Sequence, residues 1–274
     1  MSASRIVLCA DDFGLSPGVN RGIVELLEKG RLSAASCMVN YPEFARDATL
    51  LQPFAGRADM GLHFSLTESR SIASVAIECH LKPPPPAAMR DEVERQLRKF
   101  ADAVGRLPDY IDGHQHVHVL PVVREAVVGA AARIGAYVRS TREPIGIAMW
   151  RRPSAPESFY LSRASRALDR LAHAAGVETN RGFRGVRTFR ETAPFGELFR
   201  KMVADAREGT LVICHPGHPD DVLARRDPVC ATRADEWNYL SGPDFPADLA
   251  RAGLALARLR DIDPTARPPG RGRL

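Results

Sequence analysis

The alternation of short apolar segments with amphipathic ones constrains this chain more than any other feature. The apolar segments have the length of buried strands, and helix-like segments separate them about seven times, with no internal sequence repeat. Such an alternation is typical of a mainly parallel sheet covered by helices, and right-handed crossovers close that sheet into a barrel. The sequence therefore predicts an α/β fold, a distorted (β/α) barrel of about seven parallel strands that is TIM-barrel-like.

The predicted strands share short apolar runs, and the predicted helices share apolar residues at helical spacing. The first strand begins at Ile6 and ends at the adjacent pair Asp11 and Asp12. The other strands are predicted at residues 32–39, 59–64, 109–114, 136–139, 182–186 and 210–214. The helices are predicted at residues 16–29, 42–51, 93–104, 121–134, 157–175, 194–207 and 244–259.

We predict a single barrel domain over residues 1–263. Two parts of it depart from the alternation. A proline-rich segment at about 69–88 lacks periodicity and is predicted to be a lid over the site, and residues at about 140–190 form an insertion. Residues 264–274, which are rich in Pro, Arg and Gly, are predicted to be a disordered tail.

Composition excludes several classes of protein. The chain of 274 residues is 45% hydrophobic and 26% charged, as is ordinary for a globular protein, and its net charge of +5 is spread without an aromatic-basic platform for nucleic acid. The five cysteines form no CxxC pair, which disfavours a disulfide framework. We expect neither a signal peptide nor a transmembrane helix, and hence a cytoplasmic location.

Polar residues collect where the predicted strands end. Asp11 and Asp12 end the first strand, and His63, His114 and His215 end the third, fourth and seventh. The carboxyl ends of parallel strands meet at one rim, where α/β proteins carry their chemistry. One carboxylate and two imidazoles with open positions suit a catalytic divalent metal. Neighbouring strand residues point to opposite sides, so the two aspartates are expected to have different roles.

The run of alternating histidines after the fourth strand is predicted to supply at most one adjacent pair of ligands. On an extended chain, His114 and His116 would share a face with their Cα atoms about 6.5–7 Å apart, and His118 would lie about twice as far from His114. These outer two histidines could not easily bind one ion together. The remaining histidines of the run are expected to line the pocket or hydrogen-bond a ligand.

Four segments resemble, in order and spacing, the YdjC-like carbohydrate deacetylases, a family with chitooligosaccharide deacetylases and a hopanoid-associated branch. They are Asp11-Asp12-Phe13-Gly14, Gly61-Leu62-His63, Asp112-Gly113-His114-Gln115-His116-Val117-His118 and Cys214-His215-Pro216-Gly217. The resemblance extends from about residue 5 to about residue 260. It implies a barrel of the polysaccharide-deacetylase type and metal-dependent removal of an N-acetyl group from a sugar.

The same resemblance implies roles for individual residues. By analogy with the family, Asp12, His63 and His114 bind the metal, Asp11 is the base and His215 is the acid. The metal would be Zn²⁺ or Mg²⁺, with Mn²⁺, Co²⁺ and Ni²⁺ as alternatives.

The implied substrate is an N-acetylated sugar, either an oligosaccharide or a glycolipid head group, and peripheral membrane contact follows if it is lipid-linked. We assign substrate contact to His116, His118, Phe13 and Glu68, and either of these histidines could replace His215 as the acid. No phosphate loop, dinucleotide fingerprint or serine elbow is present. Two other functions stay open, namely another metal-dependent barrel hydrolase acting on a phosphoester or cyclic amide, and a non-catalytic sugar-binding barrel. A homodimer also stays open.

Overall fold

The fold is built around one parallel sheet. The computed structural model describes residues 3–150, 152–189, 191–227 and 229–262, and within these residues the sheet has eight strands. They are β1 (Ser4–Phe13), β2 (Ala34–Cys37), β3 (Asp59–Phe64), β4 (Tyr110–Gly113), β5 (Tyr137–Val138), β6 (Gly182–Arg184), β7 (Thr210–Cys214) and β8 (Leu254–Leu256). Seven of them run in the order β5-β4-β3-β2-β1-β7-β6, while β8 pairs with the first residues of β1.

Helices follow most of the strands and cover the sheet. They are α1 (Pro17–Glu28), α2 (Pro42–Asp47), α3 (Ile72–Leu81), α4 (Pro86–Val104), α5 (Val123–Ile134), α6 (Ile147–Trp150), α7 (Ala155–Ala174), α8 (Phe195–Val203), α9 (Asp221–Arg226), α10 (Ala231–Ser241), α11 (Asp244–Arg251) and α12 (Leu259–Ile262). Two 3₁₀ segments, Ala48–Phe54 and His114–Val119, complete the regular structure of the described residues.

The strand β1 lies at the centre of the sheet because its apolar run is buried on both faces. It pairs with β2 on one side and with β7 on the other. The helix α1 begins as predicted, with Ser16 as its N-cap, and the Ser16 hydroxyl accepts a hydrogen bond from the Val19 N–H at 3.2 Å. The end of β1 is therefore held between two neighbouring strands and a capped helix.

The sheet curls into a half-barrel, and a short segment bridges its open side. Among the described residues, the edge strands β5 and β6 do not pair with each other; instead Val138 forms an isolated bridge with Thr179. The Asn180 amide extends this bridge, because it accepts from the Ser140 N–H at 2.7 Å and donates to the Ser140 carbonyl at 2.9 Å. The predicted distorted barrel of about seven parallel strands is confirmed in this form.

Two of the secondary-structure predictions were wrong. The segment at 69–88 is not irregular, since α3 occupies Ile72–Leu81 and α4 begins at Pro86. Pro86 stands at the first turn of α4, where a missing N–H costs nothing. The helix predicted at 244–259 is also interrupted, because α11 ends at Arg251 and the strand β8 follows.

Besides α3, four helices of the described residues, α6, α9, α10 and α12, were not predicted, and α10 proves to be part of the site described below. The predicted disordered tail at 264–274 lies outside the described residues.

Candidate metal centre and active site

The end of β1 is shaped by a bulge. In the pairing with β2, Ala10 stands opposite Ala35 and Phe13 opposite Cys37, so β1 carries one extra residue. The backbone at the bulge has a left-handed conformation at Asp12, with a φ of 75°, and Asp adopts this conformation more readily than most residues. Gly14 follows at φ 105°, and a Cβ there would lie 2.5 Å from the Met38 carbonyl oxygen. The two aspartates diverge because of this bulge rather than through simple strand alternation.

Asp12 faces two histidines from neighbouring strands. Its Oδ1 lies 3.1 Å from His114 Nδ1 and 3.5 Å from His63 Nε2. One donor atom from each of the three residues lies within 4.8 Å of the other two. Asp12 and His63 are buried and His114 is partly exposed, so solvent reaches the group from the side of His114. One carboxylate and two imidazoles at this spacing are a suitable donor set for a divalent cation.

His63 is oriented by a second carboxylate. Its Nδ1 donates to Asp112 Oδ1 at 2.7 Å, which leaves Nε2 directed toward Asp12. This carboxylate–histidine arrangement is the one that fixes the tautomer of metal-binding imidazoles. Burial lowers the pKa of His63, but the charges of Asp112 and Asp11 outweigh it and raise the pKa to about 10.

Asp11 is held by a buried arginine. Arg139, which follows β5, donates from Nη1 and Nη2 to both Asp11 oxygens, at 2.7 and 2.6 Å. Arg139 Nη2 also lies 2.5 Å from Asp112 Oδ2, and the guanidinium is fully buried. Burial alone would raise the pKa of Asp11, but the charge of Arg139 outweighs it and holds the pKa below its ordinary value. Asp11 is therefore ionised and fixed in orientation.

A second buried arginine holds Asp12. Arg233 of α10 donates from Nη2 to Asp12 Oδ2 at 2.6 Å and to Asp227 Oδ2 at 2.6 Å. Burial would raise the pKa of Asp12, but Arg233 and the bond from His114 lower it well below the ordinary value. One oxygen of Asp12 is thus occupied by Arg233, and the other faces the two histidines.

His215 lies on the other side of the aspartates. Its Nε2 is 4.0 Å from Asp11 Oδ2, and its ring packs edge-on against Phe189, with centroids 5.1 Å apart. Glu236 of α10 fixes the backbone here by accepting from the His215 N–H at 2.6 Å and from Arg187 Nη2 at 2.5 Å. Burial lowers the pKa of His215, against the opposing effect of Asp12 and Asp11, so the resting imidazole is neutral near pH 7.

The histidine run is turned rather than extended, so the predicted spacing does not apply. Gln115 and His116 have left-handed φ values of 50° and 59°, and the segment forms a 3₁₀ turn. Of the three histidines in the run, only His114 joins the group around Asp12. His118 is fully buried and its Nε2 donates to the Arg139 carbonyl at 3.0 Å. The His116 ring packs edge-on against Phe183, with centroids 5.6 Å apart.

The other predicted contact residues lie elsewhere. Phe13 is fully buried, and its ring packs edge-on against Phe44. Glu68 is exposed, and its Oε1 accepts from Asn40 Nδ2 at 2.6 Å. The structure therefore brings together Asp11, Asp12, His63, His114 and His215, whereas Phe13 belongs to the core.

Four charged residues that support the site were missed by the sequence analysis: Asp112, Arg139, Arg233 and Glu236. Arg139 stands at the end of a predicted strand, and Asp112 lies inside the histidine-rich motif, so attention to every strand end would have found both. Arg233 and Glu236 lie on α10, whose buried residues are Arg233, Glu236 and Leu240. A helix that buries charge gives no apolar period to detect.

Comparisons with known proteins agree with this architecture. A family profile described as YdjC-like protein matches residues 5–251. A carbohydrate deacetylase of Mus musculus is 27% identical and aligns over 98% of this chain and 97% of its own. A chitooligosaccharide deacetylase of Enterobacter sp. (strain 638) is also 27% identical, over 94% of this chain and 98% of its own.

Solved structures share the fold. A protein of Enterococcus faecalis V583, described as a candidate cellobiose-phosphate cleavage protein, superposes with a TM-score of 0.70 at 19% identity, covering 95% of this chain and 99% of its own. The peptidoglycan deacetylase PdaC of Bacillus subtilis gives 0.50 at 11% identity, over 96% and 93%. The expected polysaccharide-deacetylase type of barrel is thereby confirmed. Across the described residues, no helix has the length and apolar character needed to span a membrane.

Proposed function

Since the chain belongs to the YdjC-like protein family, we propose that it is a metal-dependent carbohydrate deacetylase, which hydrolyses the acetamide of an N-acetylated amino sugar and releases acetate. The observation that carries the proposal is the pair of adjacent carboxylates. One faces two imidazoles at 3.1 and 3.5 Å, and the other is held apart by an arginine. A protein that only binds sugar has no need of the second carboxylate.

Asp12, His63 and His114 are the residues that would hold the metal. The bond from His63 Nδ1 to Asp112 supports this assignment, because it leaves the other ring nitrogen free to face Asp12. A divalent metal in this position lowers the pKa of water toward about 7 and polarises the acetamide carbonyl. Zn²⁺ or Mg²⁺ is our first choice, and Mn²⁺, Co²⁺ and Ni²⁺ also suit such ligands.

Asp11 is the proposed general base. It is ionised, and the bidentate contact with Arg139 uses only part of its hydrogen-bonding capacity, since each carboxylate oxygen can accept more than one bond. Asp12, the next residue in the chain, is a proposed metal ligand, so a water activated by that metal would lie near Asp11. A base must lie within hydrogen-bond reach of the proton that it takes.

His215 is the proposed general acid, because its Nε2 lies 4.0 Å from the base, so a proton taken by Asp11 has a nearby acceptor. The alternatives His116 and His118 fit this role less well. Burial lowers the pKa of His118 to about 4, and its Nε2 is already bonded to the Arg139 carbonyl. Burial also lowers the pKa of His116 well below its ordinary value.

The finer points of the function are likewise proposals. The relatives are named for oligosaccharide and carbohydrate substrates, so we propose an N-acetylated oligosaccharide or a glycolipid head group. His116 stays a proposed substrate contact, and so does Glu68, which is exposed and accepts a hydrogen bond from Asn40 Nδ2. We further propose that the protein acts in the cytoplasm, and we leave the homodimer as an alternative to a monomer.

The test is an acetate-release screen over N-acetylated sugars, oligosaccharides and glycolipids with metal-stripped protein, before and after addition of each divalent metal. We expect release only from the metal-loaded protein, and none from His63→Ala. The exposed His173→Ala is the matched control and should behave like the wild type. Absence of acetate release with every metal, or phosphate release from a phosphoester in its place, would contradict the proposal.

A further inference from the structure

Exposed hydrophobic side chains concentrate on one part of the surface. Among the described residues, eight large hydrophobic residues are between 37% and 81% exposed, and all except Leu50 lie on α3 or on residues 145–160. Leu81 is 81% exposed, Ile147 75% and Trp150 55%. Exposed apolar residues are normal when scattered, but a contiguous group of them marks an interaction surface.

Ring contacts join the two segments into one surface. The His80 and Tyr160 rings lie 6.3 Å apart between α3 and α7, and the Trp150 and Phe159 rings lie 5.4 Å apart between α6 and α7. We call this surface the rim patch and define it by Ile77, Leu81, Ile147, Trp150, Phe159 and Tyr160. Both α3 and α7 pack against the 3₁₀ segment His114–Val119, so the helices that carry the rim patch contact the segment that begins with His114.

The rim patch continues into a basic stripe. Phe159, Arg163, Arg166 and Arg170 recur at the spacing that places them on one face of α7. The three arginines and Lys82 are exposed, and within the part of the chain that the structure describes none of the four forms an ion pair. Two of the acidic residues on these helices are paired, Asp169 with Arg142 at 3.6 Å and Glu78 with Arg70, whereas Glu157 forms no ion pair among the described residues.

We propose that the rim patch and its basic stripe bind the surface of an anionic lipid bilayer. Trp and Tyr side chains, with an apolar body and a polar edge, favour the membrane–water interface, and exposed Leu and Ile add apolar burial. Unpaired arginines are attracted to anionic headgroups. A second copy of this chain would instead bring a second set of like charges against the same face. This inference does not rest on the proposed catalytic activity.

The experiment is co-sedimentation of the full chain with vesicles of phosphatidylcholine alone and of phosphatidylcholine mixed equally with phosphatidylglycerol. We expect binding to the mixed vesicles that weakens with added salt. Leu81→Ser and Trp150→Ser should each weaken it about tenfold, by loss of one buried apolar side chain. Arg163→Gln and Arg166→Gln should each weaken it about fivefold. Leu50→Ser removes an exposed leucine outside the rim patch and is the matched control.

Two results would overturn the inference. One is that vesicle binding does not depend on the rim patch. This would be seen as no binding to mixed vesicles, or as equal binding by the wild type, Leu50→Ser and Leu81→Ser. The other is a wild-type dimer that the Leu81→Ser variant converts to monomer without any vesicle binding, which would assign the rim patch to a second copy. Acetate release from a soluble sugar should be the same for every variant. A negative result in the vesicle experiment would therefore count against the membrane inference and not against the proposed deacetylase activity. Circular dichroism checks that each variant is folded. If a variant at another position unfolds, the comparison of Leu81→Ser with the wild type still tests the inference, because Leu81 is 81% exposed.

Discussion

Two adjacent carboxylates at the end of β1 each meet a buried arginine, yet their surroundings differ. Asp11 has both oxygens bonded to Arg139, which also contacts Asp112 and lies wholly inside the protein. Asp12 has one oxygen bonded to Arg233, while the other faces His63 and His114. The two neighbouring aspartates therefore differ in which carboxylate oxygens are bonded to arginine and which face the histidines.

The difference shows what decides a role at this rim. Asp12 keeps an oxygen available beside two imidazoles, which suits it to bind a cation. Asp11 has both oxygens oriented by a guanidinium and His215 Nε2 4.0 Å away, which suits it to exchange protons in a fixed position. The contrast arises from the bulge in β1 and from two arginines that lie far away in the sequence, Arg139 and Arg233.

The sharpest test of the comparison replaces each aspartate in turn. Asp11→Asn should lower kcat by about 10²–10⁴-fold with metal content unchanged, since Asn cannot accept the proton. Asp12→Asn should instead lose most of the bound metal, because it removes the charged ligand. Activity is measured by acetate release, and metal content by elemental analysis. Exchanged outcomes for the two variants would reverse the assignment.

Arg139→Met tests the buried side of the comparison. It removes the guanidinium bonded to both oxygens of Asp11 and leaves Asp112 with His63 as its remaining charged partner, so the free energy of unfolding should fall by about 3–5 kcal/mol. Urea denaturation measures this change. Arg70→Met, which breaks only a surface pair with Glu78, is the control and should cost less than about 1 kcal/mol. A similar small loss for both variants would mean that the cluster around Asp11 is not electrostatically coupled.

His118 holds the backbone of Arg139 through the hydrogen bond from its Nε2 to the Arg139 carbonyl. We expect this buried histidine to make the stability of the same region depend on pH. Burial lowers its pKa to about 4, so the folded protein keeps it neutral while the unfolded chain binds a proton as the pH falls below its ordinary value near 6.5. The free energy of unfolding should therefore decrease between about pH 6.5 and 4, by about 2 kcal/mol near pH 5. His118→Asn should remove the part of this slope that His118 contributes, while His116 and His215, whose pKa values burial also lowers, keep theirs. His173→Asn, at an exposed position, should retain the whole slope.

Arg233→Gln tests the other arginine and has the smallest expected effect. Removing its charge relieves repulsion of a divalent ion near Asp12, so the metal Kd should fall by about tenfold. Titration calorimetry with the metal-stripped protein measures the Kd. Arg233→Lys retains the charge and should stay near the wild type. Weaker binding by Arg233→Gln than by Arg233→Lys would mean that Arg233 acts mainly by holding Asp12 in place.

The strands of the main sheet and the polar residues at their carboxyl ends could be predicted from the sequence. The charged residues that hold these polar residues in place, such as Arg139 and Arg233, could not. Apolar runs located the seven strands of the main sheet, since buried parallel strands are apolar almost throughout. Strand ends then brought Asp11, Asp12, His63, His114 and His215 to one place. Local rules failed where the backbone leaves regular geometry, as at the bulge before Asp12 and in the left-handed turn at His116.

The largest omission was α10, and the reason is physical. Its buried face carries Arg233 and Glu236, which hold Asp12 and the backbone of His215. Apolar periodicity detects helices that bury hydrocarbon, and it does not detect a helix whose buried side chains are charged and pair with other elements. The partner of Asp12 stands 221 positions away in the chain, so no local pattern links the two residues.

Anomalous diffraction from crystals grown with Zn²⁺ tests the central claim most directly. The described residues offer two groups of potential ligands, one formed by Asp12, His63 and His114 and the other by Cys9, Asp11 and Asp112. The second group surrounds Arg139 Nη2, which lies 3.1 Å from Cys9 Sγ and 2.6 Å from Asp11 Oδ1, so a cation there would meet a buried positive charge. We predict a single anomalous peak in contact with Asp12, His63 and His114. A peak at the Cys9 group, or no peak at either, would contradict the account.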